Sequence, residues 1–161
     1  MIKYFVMDVD GTLTDGKIYM GNDGEMCKAF HVKDGCGIHD ILIPSGIVPV
    51  IITGRNSLIV EKRCSELGIH EIYQGIKNKR AILEKLLDKT GYEYKNVAYI
   101  GDDINDLPCM QVVKKAGGLI GCPADAVKEV KMVVDFICSK DGGNGAVREF
   151  IEWILDIKQN D

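Results

Sequence analysis

Short, unbroken apolar runs alternate along this chain with stretches whose apolar residues return every three or four positions. The first kind reads as a strand buried on both faces, the second as an amphipathic helix. Tyr4-Phe5-Val6-Met7 opens the series and runs into Asp8-Val9-Asp10-Gly11. Lys17-Ile18-Tyr19-Met20 and the stretch from Glu25 to Phe30 flank Gly21-Asn22-Asp23-Gly24, which is a hairpin signal. Ile38, Ile41 and Leu42 predict a helix from Gly37 to Ile43, closed by Pro44 and Gly46. Val48-Pro49-Val50-Ile51-Ile52 is the next buried strand. Leu58 to Leu67 is a helix stopped by Gly68, and Ile72-Tyr73 a strand after it. From Asn78, Ile82, Leu83, Leu86 and Leu87 mark one face of a helix that ends near Gly91. Val97-Ala98-Tyr99-Ile100 is a strand delivering Gly101-Asp102-Asp103-Ile104-Asn105-Asp106, with a short helix from Leu107 to Val113 behind it. Leu119-Ile120 and the stretch from Val133 to Ile137 read as strands. Gly145 to Ile157 closes the chain as a helix with Phe150, Ile151, Ile154 and Leu155 inward.

Strands alternating with helices predict the α/β class: a doubly wound, mostly parallel, Rossmann-like sheet covered on both faces. The hairpin at about residues 16–31 is its one excursion. A chain of 161 residues that is 46% hydrophobic, without repeat, linker or low-complexity segment, is expected to form a single domain over 1–161. The net charge of −4, with no Lys/Arg block, argues against a nucleic-acid partner. No apolar run approaches membrane-spanning length and no signal peptide precedes the first strand, so no membrane partner and a cytoplasmic location are expected. The six cysteines (27, 36, 64, 109, 122 and 138) include no C-x-x-C pair and read as reduced, mostly buried thiols.

Ligands bind such sheets at the carboxyl ends of the strands. Three of those ends carry polar clusters: Asp8 with Asp10, Thr53 with Arg55, and Asp102 with Asp103 and Asp106. One such cluster is an ordinary helix cap; three brought to the same edge are a site. Side chains two residues apart in extended chain share a face, so Asp8 and Asp10 crowd each other unless a cation or a proton intervenes. Asp8, Asp10 and Asp102 suit Mg²⁺, a hard cation that takes few carboxylates and keeps room for water and a phosphate oxygen. One carboxylate of such a set can attack phosphorus while the other works as acid and base. Thr53, and Lys79 at a helix start, can hold phosphoryl oxygens, and phosphoryl transfer is mostly positioning and electrostatics.

D-x-D-G-T beginning at Asp8, T-G-R at Thr53, the helix-opening Lys79, and G-D-D-x-x-D beginning at Gly101 resemble the four motifs of the haloacid dehalogenase superfamily. Gly16-Lys17-Ile18-Tyr19-Met20-Gly21-Asn22, Phe30-His31-Val32-Lys33-Asp34-Gly35, Tyr73-Gln74-Gly75 and Gly143-Asn144-Gly145-Ala146-Val147-Arg148-Glu149 resemble its 3-deoxy-D-manno-octulosonate 8-phosphate phosphatases, a capless, tetrameric subgroup. The resemblance implies that Asp8 is the nucleophile and a Mg²⁺ ligand, and that Asp10 is the acid–base and binds the metal through its backbone carbonyl. Asp102 would be the third ligand, supported by Asp103 and Asp106, while Thr53 and Lys79 bind the phosphoryl group. Lys77 is the rival of Lys79, and family spacing from Gly75 favours Lys79.

The spans from Thr53 to Lys79 and from Lys79 to Asp102 leave no room for an inserted cap domain. The resemblance supplies the remedy, a homotetramer in which the hairpin packs between subunits and neighbours cover each site. It implies a phosphorylated keto-deoxy sugar acid as substrate, with Lys33, Arg55, Arg148 and His31 as substrate-binding residues. Arginine suits bidentate capture of a carboxylate. Two positions depart from the family pattern, His31 where Asn is expected and Asn144 where Arg is. They make a nine-carbon acid 9-phosphate, of neuraminate or ketodeoxynonulosonate type, the second reading. His39 and His70 read as structural. A receiver-type phospho-switch is disfavoured because its phosphorylated Asp follows a middle strand, and an inactive interaction subunit because every catalytic position is filled.

Overall fold

The computed structural model describes residues 1–160, with side chains up to Ile157. Its centre is β1 (Tyr4–Met7), whose four residues are all buried. A two-stranded antiparallel hairpin, β2 (Tyr19–Gly21) and β3 (Gly24–Cys27), leaves the sheet directly after it. Then come α1 (Val32–Cys36), β4 (Val48–Ile52), α2 (Leu58–Glu66), β5 (Glu71–Tyr73), α3 (Lys79–Thr90), β6 (Val97–Ile100), α4 (Leu107–Lys115), β7 (Leu119–Cys122), α5 (Lys128–Lys131), β8 (Phe136–Ile137) and α6 (Ala146–Asn160). The order across the sheet is β5-β4-β1-β6-β7-β8, and every pairing is parallel. The chain thus winds outward from β1 on one side and returns across it to build the other. This reversal of strand order opens a crevice at the carboxyl ends beside β1.

Register decides what meets there. Met7 pairs with Ile51 on one side and with Ile100 on the other. The three strands therefore end almost level, and the residues that follow them emerge at one edge. Alternation along β1 serves the two faces. Tyr4 and Val6 pack with Leu83, Leu86 and Leu87 of α3 and Met110 and Val113 of α4. Phe5 and Met7 pack with Val60 and Cys64 of α2 and with Phe150, Ile151 and Ile154 of α6. Both faces being covered by helices, the inner strands β1, β4 and β6 are apolar throughout. Among the described residues no inserted domain interrupts this winding, and no helix is long and apolar enough to cross a membrane. All six cysteines are free thiols; Cys64, Cys109, Cys122 and Cys138 are buried, while Cys27 is exposed.

Three local details differ from the sequence reading. The helix expected from Gly37 begins at Val32, where the His31 ring Nδ1 accepts the Lys33 N–H and caps it. It then widens over Gly37–Leu42 and tightens over Ile43–Ser45. Gly35 and Gly37 inside it serve packing: a Cβ on Gly37 would lie 2.8 Å from the Arg148 side chain. The strand expected from Val133 shrinks to Phe136–Ile137, since the Asp135 carboxylate takes the Ile120 N–H and pairs with Lys114. The helix α5, with no counterpart in the sequence reading, fills the connection before it.

Candidate active site

The Asp8 carboxylate stands at the end of β1, almost fully buried. Its Oδ1 accepts the Val9 N–H at 2.7 Å, and its Oδ2 lies 2.9 Å from the Lys79 ammonium. Lys79 opens α3 and is itself only 3% exposed. Its Nζ also meets Asp106 Oδ1 at 2.8 Å. Lys77, the rival lysine, is exposed.

Asp106 is fully buried, and both its oxygens are taken. Oδ1 accepts from Lys79 and from the Tyr99 hydroxyl at 2.7 Å, while Oδ2 accepts the Asp102 and Asp103 N–H groups at 3.1 and 3.4 Å. Asp106 therefore shapes the loop after β6 and aims Lys79. Gly101 is required for this closeness, because a Cβ there would lie 2.3 Å from the Asp106 carboxyl carbon.

Asp102 Oδ1 accepts the Thr12 hydroxyl at 3.0 Å. Gly11, at φ +92°, lets the loop after β1 lie against Asp102, and a Cβ on it would sit 2.0 Å from Asp102 Oδ2. Gly142 backs the same loop from the far side, its missing Cβ position 1.9 Å from the Gly11 carbonyl oxygen. Asp8, Asp10, Thr53, Gly54, Arg55, Asp102, Asp103 and Asn105 line an open cleft of about 190 Å³.

Carboxylate oxygens of Asp8, Asp102 and Asp106 all lie within 4.8 Å of one another, with Lys79 as the ammonium in contact. The crowding shows in their protonation. Burial, then the Asp106 charge, push Asp8 up to about 6 against the pull of Lys79. Burial, with Asp8 and Asp106, pushes Asp102 up to about 7. Burial alone would lower Lys79, but its two carboxylate partners outweigh that and raise it. A set of hard oxygen donors with too little positive charge fits a divalent cation. Asp102 Oδ2 stays open for it and each Asp8 oxygen has a single partner, whereas each Asp106 oxygen already accepts two hydrogen bonds.

The hairpin supplies two residues that the sequence reading passed over, Glu25 and Lys28, and they reach a third, Ser57. The Lys28 side chain is 2% exposed, and its Nζ meets Asp10 Oδ1 at 2.5 Å and Glu25 Oε1 at 2.9 Å. The other Glu25 oxygen accepts the Ser57 hydroxyl at 2.5 Å, and Ser57 caps α2. No periodicity signalled this: Glu25 and Lys28, three apart, would face opposite ways in a regular strand. They meet because the strand ends at Cys27.

Of the expected substrate-binding residues, Arg55 lines the cleft and is exposed. His31, Lys33 and Arg148 do not line it. His31 caps α1, Lys33 is exposed, and the Arg148 Nε pairs with Glu152 one turn on. The departure at His31 thus has a local structural use. His39 pairs with Asp40, and His70 is exposed.

This constellation has counterparts. Residues 40–113 match the haloacid dehalogenase-like hydrolase family. The 3-deoxy-D-manno-octulosonate 8-phosphate phosphatase KdsC of Escherichia coli is 46% identical over 154 residues, spanning 96% of this chain and 79% of that protein. The chain belongs to the haloacid dehalogenase-like hydrolases. It is a phosphoric monoester hydrolase, which sets aside the phospho-switch and the inactive subunit. Among solved structures, the 3-deoxy-D-manno-octulosonate 8-phosphate phosphatase from Moraxella catarrhalis in complex with magnesium ion, phosphate ion and KDO superposes with a TM-score of 0.90. It is 44% identical, covering 99% of this chain and 88% of that one. The cobalt-bound deoxy-D-mannose-octulosonate 8-phosphate phosphatase from Haemophilus influenzae gives 0.90 at 39% identity, covering 98% and 90%. Both hold a divalent metal, in keeping with the acidic group found here.

Proposed function

We propose that this chain is a Mg²⁺-dependent phosphatase, acting as one domain, whose substrate is 3-deoxy-D-manno-octulosonate 8-phosphate. The observation that carries the reading is the buried Lys79 ammonium, 2.9 Å from Asp8, which lines a cleft together with Asp10, Thr53, Arg55 and Asp102. The identity to phosphatases named for that substrate supports it along almost the whole chain.

In this mechanism Asp8 attacks phosphorus as the bond to the sugar oxygen breaks, and Asp10 gives the departing oxygen its proton. Water then cleaves the acyl phosphate on Asp8 while Asp10 takes up the water's proton, which restores both residues. Lys79 and Thr53 hold the phosphoryl oxygens, and Asp103 and Asp106 keep the loop after β6 in place. When bound by Asp8, Asp102 and the Asp10 backbone carbonyl, Mg²⁺ supplies positive charge for the transferring phosphoryl group.

An open cleft selects poorly on its own. Arg55 at its mouth is placed to meet the sugar carboxylate. We assign His31, Lys33 and Arg148 to the site of a neighbouring copy within a homotetramer. Met20 and Met26 of the hairpin, 60% and 69% exposed, favour such an assembly, because apolar side chains left in water mark contact surfaces. The enzyme is placed in the cytoplasm, without nucleic-acid or membrane partners.

Phosphate release from a panel tests the substrate: the eight-carbon acid 8-phosphate, neuraminate and ketodeoxynonulosonate 9-phosphates, and glucose 6-phosphate, each with Mg²⁺. The eight-carbon acid is expected to give the highest kcat/KM, with the nine-carbon acids behind it. Preference for a nine-carbon acid would move the assignment to that class, and preference for glucose 6-phosphate would overturn it.

A further inference from the structure

Asp10 stands on the loop beyond β1, with its carboxylate at the rim of the cleft. A proton donor placed on a loop transfers poorly unless something fixes it, since small misplacements of a reacting group are costly in rate. Lys28 is what the fold brings to it. The lysine donates to Asp10 Oδ1, and its other anchor is Glu25 Oε1. Glu25 is in turn tied through its second oxygen to the Ser57 hydroxyl. Ser57 is fixed twice more: its Oγ accepts the Val60 N–H at 3.3 Å, and its N–H donates to Gln74 Oε1 at 2.9 Å. A continuous polar chain thus runs from the helix behind Thr53, through the hairpin, to Asp10.

We propose that Lys28 is a positioning residue for proton transfer, holding Asp10 by Oδ1 so that Oδ2 is the oxygen that exchanges the proton with the leaving group. Burying an ammonium costs several kcal/mol unless its partners are close and well aligned, and a hairpin could be anchored without engaging the acid of the reaction. The division of the two Asp10 oxygens gives the arrangement a use. In the first step Oδ2 releases its proton to the sugar oxygen as the P–O bond breaks. In the second it receives one from the water that attacks phosphorus, while Lys28 keeps the same hydrogen bond throughout. The inference rests on the phosphatase reading and on Asp10 as its acid.

Leaving-group dependence separates this role from simple support. An alkyl phosphate must have its departing oxygen protonated, whereas p-nitrophenyl phosphate releases a stable phenolate. The ratio kcat/KM covers the steps only as far as attack by Asp8, so it isolates the acid function from the later base function. General acid catalysis contributes about 10²–10⁴-fold. Lys28→Met is therefore expected to lose about 10²-fold or more in kcat/KM on the sugar acid phosphate, and less than about fivefold on the aryl phosphate. Lys28→Arg should recover most of the loss. Glu25→Gln removes the second anchor and keeps Lys28, so a smaller loss, again confined to the alkyl substrate, is expected; it carries the test if Lys28→Met does not fold. Equal losses on both substrates, or no loss on either, would overturn the proposal. A wild-type enzyme inactive on alkyl phosphates would instead overturn the phosphatase reading beneath it.

Discussion

Asp106→Asn changes one buried oxygen to an amide nitrogen without altering shape, and four hydrogen bonds depend on it. The Asn oxygen can keep the Asp102 and Asp103 N–H groups, which leaves its amide facing the Lys79 ammonium and the Tyr99 hydroxyl. A hydrogen bond to a charged group is worth about 1.5–3 kcal/mol, and an unmatched buried donor costs about 1–3 more. Removing the Asp106 charge partly offsets this, because that charge disfavours ionised Asp8 and Asp102. A net loss of about 2–4 kcal/mol follows, which lowers Tm by about 5–15 °C in a protein of this size. Lys79 keeps Asp8 but loses its second anchor, and a displacement of about 1 Å costs about 10²-fold in rate. Affinity for Mg²⁺, in contrast, should fall only a few-fold, since Asp106 has no oxygen to give the metal. Asp102→Asn removes an open donor and should lose far more. Thermal melts and titration calorimetry on the two variants decide the matter. If Asp106→Asn loses as much Mg²⁺ affinity as Asp102→Asn, Asp106 is a ligand and the reasoning fails.

Gly11→Ala puts a methyl 2.0 Å from Asp102 Oδ2 at a backbone φ of +92°, so activity should drop by more than about 10²-fold; a fully active variant would contradict the close approach. In chelated protein, Asp8 at about 6 and Asp102 at about 7 hold protons more tightly when folded than their usual value of 3.8. Stability should therefore decline as pH rises from about 4 to about 7, since the native state binds the extra protons. Mg²⁺ should raise Tm more at the upper end of that window than at the lower, and a pH-independent rise would refute the crowded-carboxylate account. Replacing Met20 and Met26 together with Asp should yield smaller assemblies by light scattering at unchanged helix content, and an unaltered mass would exclude the hairpin from the interface.

The parallel sheet and most of its helices were legible because apolar periodicity is a strong signal for elements buried on one side or two. The level ends of β1, β4 and β6 follow from the same runs, which is why Asp8, Thr53 and Asp102 were found together. The start of the helix before Gly37 was missed because Gly35 and Gly37 lie within the helical stretch for packing, Gly35 against Arg63 and Gly37 against Arg148. Val133 failed as a strand residue because the Asp135 side chain takes the Ile120 N–H that a ladder would have used. Lys28 escaped notice for a different reason. Its partners, Asp10 and Glu25, are set by where a short hairpin ends, which composition and spacing do not encode. Tyr99 looked like one more apolar strand residue until its hydroxyl was seen on Asp106.

A covalent phosphoryl group on Asp8 is the centre of the account, and a rapid acid quench with substrate labelled in its phosphate measures it directly. The wild-type enzyme should carry label that survives acid and is released by hydroxylamine, mapping to the peptide that contains residue 8. With labelled p-nitrophenyl phosphate, whose leaving group needs no acid, Asp10→Asn should accumulate more of it, because water then attacks without its base, and Asp8→Asn should carry none. Turnover at the wild-type rate by Asp8→Asn, or label found on another residue, would contradict the mechanism.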